Sequence, residues 1–160
     1  MDRKHIDYFI SVLGKDNVLV TEEERICYSY DGTFNRGLPD VVLMPEKTEE
    51  VAKIMKYANE IKVPVFPRGA GTGLSGGSVP QDGGIALVLS RMNQIKEISR
   101  EDLLVVAGPG VVTGKLHKAV EEEGLFYPPD PASSAVCTIG GNIAENAGGP
   151  RAFKYGVTRD

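Results

Sequence analysis

Residues 65–84, VFPRGAGTGLSGGSVPQDGG, constrain this chain more than any other stretch. An apolar run leads into them, glycines stand at 69, 71, 73, 76, 77, 83 and 84, and the apolar run IALVLS follows from Ile85. Gly71, Gly73 and Gly76 fit G-x-G-x-x-G behind a predicted strand, which is half of a dinucleotide-binding fingerprint. The other half is a helix opening directly after the glycines, so that its N-terminal dipole meets a pyrophosphate. Pro80, Gly83 and Gly84 forbid such a helix before the next strand. A Walker A loop is excluded as well, because GVVTGKL at Gly110 has one spacer too few and Leu116 where a hydroxyl is required. What remains is strand, glycine loop, strand. Its backbone N–H groups are unobstructed by side chains and free to take positive φ, so they can form an anion-holding concavity. Arg68 adds a cation, and Thr72 and Ser75 add hydroxyl donors. The plainer alternative is a long structural connection between strands.

The rest of the chain supplies a domain for that loop to belong to. At 160 residues with 41% hydrophobic side chains, it is long enough to bury about two-thirds of its unfolded surface. Residues 4–13 place Ile6, Phe9, Ile10 and Leu13 at helical spacing, and TEEE from Thr21 has the form of a capping box. YDGTFNRGLP reads as a turn-rich connector. DVVLMP predicts a buried strand, Thr48 a helix cap, and Val51, Ile54, Met55, Ala58 and Ile61 one apolar helix face. VPVFP is the next strand, so a βαβ unit is expected with its two strands as parallel neighbours. After the loop come a strand at IALVLS and a hairpin of IKEIS with LLVVAGPG. Thr113 then caps a helix running to about Glu123, with Leu116 and Val120 inward and Gly124 as its stop. From FYPPDPASSAV to TIGGNIAENAGGP the chain reads as loop, contributing little to a core and either wrapped around something or disordered. There is no internal repeat.

Several function classes are disfavoured. A net charge of −4 with no basic stripe interleaved with aromatics argues against nucleic acid. No apolar stretch has the length of a signal peptide or a membrane span, so the expectation is a cytoplasmic protein without a transmembrane segment. Cys27 and Cys137 lack CxxC spacing and read as two reduced, semi-buried thiols. His5 and His117 stand apart from each other and from carboxylate or thiol partners, so they read as surface or capping residues and no metal site is expected. Arg36, Arg91 and Arg151 read as surface or structural pairing groups, and Tyr155 either as a packing residue or as a stacking partner for a ring.

TIGGNIAENAGGP, a second cluster, changes the balance. It holds the pairs Gly140–Gly141 and Gly148–Gly149 with Asn142 and Asn146 between them, more amide donors and bare backbone than a turn needs. Two such clusters point to an extended ligand. In order, PRGAGTGLSGG, PPDPASS, TIGGNIAENAGGP and KYGVTRD resemble the FAD-binding domain of the vanillyl-alcohol oxidase and p-cresol methylhydroxylase flavoproteins. More narrowly, they resemble the glycolate oxidase and D-lactate dehydrogenase branch. The resemblance covers roughly residues 38–160.

The resemblance implies an α+β fold, the PCMH-type FAD-binding domain, with two α+β subdomains and FAD between them. Residues 1–37 would be an N-terminal helical arm, 38–125 the first subdomain and 126–160 the incomplete start of the second. It implies that Pro67, Arg68, Gly69, Ala70, Gly71, Thr72, Gly73 and Leu74 wrap the pyrophosphate, with Gly77 and Ser78 continuing that wall. Asp130, Ser134 and Thr138 would lie along the cofactor, while Gly140, Gly141, Asn142, Ala144, Gly148 and Gly149 approach the flavin and its ribityl chain. Relatives that bind flavin covalently carry a histidine in the first loop; Thr72 stands there in this sequence, which implies noncovalent FAD. The implied chemistry is hydride transfer from the α-carbon of a small D-2-hydroxy acid to FAD, with electrons leaving to an acceptor or an iron–sulfur partner subunit. Any membrane association would then be peripheral, through that partner. The family's catalytic side chains are expected beyond Asp160, so the catalytic residues are unknown and residues 1–160 alone are expected to be inactive. Two alternatives stay open: a non-catalytic nucleotide-binding module, and another FAD oxidoreductase of the same fold.

Overall fold

The computed structural model describes residues 1–159, which divide into two compact units, residues 1–91 and 92–159. The first is built on a four-stranded sheet of β1 (Val18–Leu19), β2 (Val41–Leu43), β3 (Val65–Arg68) and β4 (Ile85–Val88), in the order β1-β2-β4-β3. β2 and β3 both run parallel to β4, with Val41 and Val65 each opposite Ile85, whereas β1 is antiparallel to β2. The expected βαβ unit is therefore present, but its two strands are not neighbours. β4 separates them because IALV is buried along its whole length and belongs at the centre, as strands covered on both faces do. β3 is sent to the edge, where the missing N–H of Pro67 does no harm to a ladder.

Three helices complete this unit: α1 (Arg3–Leu13), α2 (Glu22–Ile26) and α3 (Thr48–Glu60). One face of the sheet presents Val41, Leu43, Ile85 and Leu87 to Phe9 and Leu13 of α1 and to Ile54 and Ala58 of α3. Phe9 is completely buried, and such a side chain contributes about 1.5–3 kcal/mol. Tyr8 stacks on Tyr57 with ring centroids 3.8 Å apart, and His5 Nδ1 lies 2.9 Å from the Tyr57 hydroxyl, so His5 is a joint between helices. The other face carries Val42, Ala86 and Val88, with Leu19, Tyr28 and Met44 packed against them. The capping box at Thr21 forms as read, Thr21 accepting from the Glu24 N–H and Glu24 from that of Thr21. α3 is capped differently from expectation. Thr48 is already inside the helix, and the Glu50 carboxylate reaches back to the N–H groups of Glu46 and Lys47, at 2.8 and 3.1 Å.

The second unit opens with the expected hairpin, β5 (Ile95–Ser99) against β6 (Leu104–Ala107), followed by α4 (Thr113–Glu122). Val111, Leu116, Val120 and Ile139 form its buried core. Gly124, at φ 73°, ends α4 as its sequence position predicts. The last third is more ordered than read. α5 (Ile139–Ala144) and α6 (Ala152–Tyr155) form within it, and Cys137, Thr138, Ile139 and Asn142 are buried. α5 survives two consecutive glycines, each costing about 1 kcal/mol against alanine, because Thr138 caps it and Gly140 seats it against Pro109. Among the described residues no helix is long and apolar enough to cross a membrane, and no cluster of ligating side chains fits a metal ion. Both cysteines are free, Cys27 exposed and Cys137 buried.

Candidate functional site

The first candidate region lies where β3 ends. β3 and β4 are parallel, so residues 69–84 must carry the chain from one end of the sheet to the other, a connection normally made by a helix. Here it is an irregular loop pinned at its far end. Asp40 N–H donates to the Gly84 carbonyl at 2.8 Å, Gly84 N–H to the Asp40 carboxylate at 2.9 Å, and Val79 and Pro80 are buried beneath. The near end, from Gly69 onward, emerges at the C-terminal edge of the parallel strands, the edge at which open α/β sheets take ligands.

Arg68, the last residue of β3, is only 6% exposed. Its guanidinium turns beneath the loop, donates to the Tyr30 carbonyl at 2.6 Å, and lies 5.8 and 6.0 Å from the rings of Tyr28 and Tyr30. Burial pulls its pKa down, against the opposing pull of Tyr30, Asp31 and Tyr28. Gly71 takes φ 73° directly over that guanidinium, which fills the space a Cβ would need. The N–H groups of Ala70, Gly71, Thr72 and Leu74 have no hydrogen-bond acceptor among the described residues. Leu74 is 80% exposed, Pro67, Ala70 and Gly77 are also exposed or half-exposed, and Thr72, Gly73 and Ser78 are half-buried. A buried cation beside a run of N–H groups left without acceptors suits an anion such as a pyrophosphate.

Residues of the turn-rich connector belong to this site, though sequence reading passed over them. Asp31 is 7% exposed and its Oδ1 accepts from the Thr33 N–H at 2.8 Å and hydroxyl at 2.6 Å. Burial alone would raise the Asp31 carboxyl. The Thr33 donors, the Gly76 N–H and the Arg68 charge together outweigh it and hold the pKa below the ordinary carboxylate value. Gly32 N–H donates to the Gly73 carbonyl at 3.0 Å. The one sequence signal was Asp-Gly-Thr, a pattern that favours an Asx turn anywhere and names no partner.

The second region is the glycine cluster of the other unit. Thr138 accepts from the Gly141 N–H at 3.4 Å and Gly140 donates to the Pro109 carbonyl at 2.8 Å. A Cβ on Gly140 would lie 2.7 Å from that of Pro109, so this glycine serves close approach. Asn142 is 2% exposed, and its amide donates to the Thr113 hydroxyl at 2.8 Å. Thr113 is thus no cap. Val112 holds that position, and the Thr113 hydroxyl, fully buried, also donates to the Cys137 carbonyl at 3.3 Å. Burial raises the Tyr127 phenol, partly offset by the Thr158 and Asn142 side chains that meet it.

The other expected residues of this unit are hydrogen-bonded within it. Asp130 N–H donates to the Gly148 carbonyl, Gly149 accepts from Ala152, and Ser134 accepts from Gly114. Ala144 closes α5 on its exposed side. His117 Nε2 donates to the Pro129 carbonyl at 2.8 Å, holding the proline-rich approach. The arginines pair as read: Arg91 with Glu46, Arg151 with Asp130 and over the Phe126 ring, and Arg36 over Tyr30. Tyr155 packs edge-on to Phe126.

A family model described as FAD binding domain matches residues 39–160. The glycolate oxidase subunit GlcD of Bacillus subtilis is 48% identical over 155 residues, covering 96% of this chain and 33% of that protein. D-lactate dehydrogenase of Anaerostipes hadrus is 43% identical over 157 residues, covering 97% and 33%. The crystal structure of p-cresol methylhydroxylase with substrate bound superposes with a TM-score of 0.78 at 28% identity, over 90% of this chain and 29% of that one. The chain thus spans about a third of the length of the curated relatives it matches.

Proposed function

We propose, since this chain belongs to the FAD binding domain family, that it is the FAD-binding N-terminal part of a flavin-dependent dehydrogenase of D-2-hydroxy acids of the glycolate and D-lactate type. The observation that carries the reading is the loop after β3, whose N–H groups at Ala70, Gly71, Thr72 and Leu74 have no acceptor among the described residues and lie beside the buried Arg68. Its donor set fits a pyrophosphate: bare amides from Ala70, Gly71, Thr72 and Leu74, with Gly77, whose N–H donates to the Ser75 hydroxyl at 3.4 Å, and Ser78 continuing the wall, and no carboxylate in that run to repel the anion. Thr72, in place of a histidine, supports noncovalent attachment.

In the second unit the same reading gives Asp130, Ser134, Thr138, Gly140, Gly141, Ala144, Gly148 and Gly149 to the flavin side. Asn142 serves there through its bond to Thr113, which fixes α5 and the backbone it presents. Bound FAD would supply the hydride acceptor for oxidation of the hydroxy acid to its 2-oxo acid; the protein's part is to bind and orient it. The hydroxy-acid class rests on similarity to the glycolate oxidase protein and to D-lactate dehydrogenase. The first of these is named as a subunit, which supports a separate electron-accepting partner.

The test is direct. The purified chain, loaded with FAD and desalted, should stay yellow, release its colour completely on acid denaturation, and melt higher with excess FAD, by about 2.7 kcal/mol of added stability at a hundredfold excess over Kd. A colourless protein whose melting FAD does not shift would overturn the cofactor assignment, and colour remaining with the precipitated polypeptide would overturn noncovalent attachment. Residues 1–160 alone should show no dye-coupled oxidation of glycolate or D-lactate, and measurable turnover by them would overturn that expectation.

A further inference from the structure

The family match begins at residue 39, yet the loop after β3 is held from behind by residues that precede it. Gly32 N–H donates to the Gly73 carbonyl at 3.0 Å, and the Tyr30 carbonyl receives Arg68 at 2.6 Å. A Cβ on Gly32 would lie 2.8 Å from the Gly73 oxygen and 3.1 Å from that of Thr72. The Asp31 carboxylate, between Tyr30 and Gly32 in the chain, is clamped by Thr33, and the Arg68 charge and the Gly76 N–H favour its ionised form.

Peptide geometry turns these ties into a consequence for the open face. In a trans peptide the C=O and the following N–H point in opposite directions across one plane. Fixing the Gly73 carbonyl on Gly32 therefore turns the Leu74 N–H away from the connector, and that N–H has no acceptor among the described residues. Arg68, held by Tyr30 and balanced by Asp31, occupies the floor under Gly71.

We propose that residues 30–33 are a positioning element for the cofactor loop: Gly32 and Asp31 preset its unpaired N–H groups, so affinity for a pyrophosphate-bearing ligand depends on a segment preceding the matched domain. The proposal rests on the FAD reading above. Its gain is preorganisation, since a loop already ordered loses less freedom on binding.

The experiment titrates FAD, and riboflavin as a flavin without pyrophosphate, against the parent chain and against Gly32→Ala, Asp31→Asn and Thr33→Val, with the melting temperature of each FAD-free protein alongside. Gly32→Ala should raise the FAD Kd about tenfold, the weight of one lost hydrogen bond, and Asp31→Asn and Thr33→Val severalfold. The loss of FAD affinity should exceed what any drop in FAD-free melting accounts for, and riboflavin affinity should not move. An FAD Kd within twofold of the parent in all three variants overturns the proposal and leaves the FAD reading standing. Losses that track lowered melting, or that extend equally to riboflavin, also overturn it. A parent chain that binds no FAD sinks both. Should Gly32→Ala fail to fold, the other two variants decide, because neither introduces a clash with the loop backbone.

Discussion

The two glycine clusters look alike as text and are used in opposite ways. After β3, Gly71 adopts a left-handed conformation in an irregular loop whose donors at Ala70, Gly71, Thr72 and Leu74 have no acceptor among the described residues. In α5, Gly140 has helical neighbours and serves to bring that helix against Pro109. The first cluster provides conformational freedom above a buried cation, the second close packing around a buried polar knot of Thr113, Cys137 and Asn142. A glycine-rich motif therefore has no single physical meaning, and the consequence of substituting it depends on which service is lost.

Substitutions can break this contrast. Gly140→Val should be the most damaging, costing roughly 2–3 kcal/mol by overpacking against Pro109, read as a lower urea midpoint of the FAD-free chain. Gly71→Ala should instead lose FAD affinity out of proportion to stability; if both variants lose the two properties in step, the contrast is wrong. Thr113→Val keeps the shape but leaves the buried Asn142 amide without its acceptor, an expected loss of about 1–3 kcal/mol that would be absent were the knot wet. Thr138→Ala removes the α5 cap and should cost about 1 kcal/mol.

The smallest effect concerns acid. The Asp31 carboxyl lies below its ordinary value of 3.8 when folded, so the unfolded chain takes up its proton at a higher pH than the folded one. Its stabilising contribution is thus complete above that value and fades as pH falls through the lower, folded one. Asp31→Asn should flatten the acid limb of the stability profile below about pH 4, and an unchanged limb would show that the carboxylate is not held as described.

Much of the first unit was legible because its signals are local. The apolar faces of α1 and α3 and the capping box at Thr21 are carried by residues a few positions apart, and the structure has them where the periodicity puts them, except that Met55 of the expected α3 face is exposed and Ile61 lies just past the helix end. The order of the strands was not legible. Placing β4 between β2 and β3 is settled by burial over both sheet faces, which compares segments remote in sequence. The second unit misled in the other direction: TIGGNIAENAGGP has loop composition, and α5 exists through contacts to Pro109 and Thr113 that no local pattern announces.

By itself, then, the sequence determined where the chain can bare its backbone and where it must form strands and helices, because φ preferences, missing N–H groups and apolar spacing are properties of a residue and its near neighbours. It also determined the family, through four motifs in fixed order. Only the tertiary structure decided what lies behind the bare backbone. Arg68 turns inward to Tyr30, and Asp31 and Gly32 brace a loop some forty residues further on. Those assignments depend on which groups burial brings together and leaves in need of a hydrogen-bond partner, and that is a property of the folded chain alone.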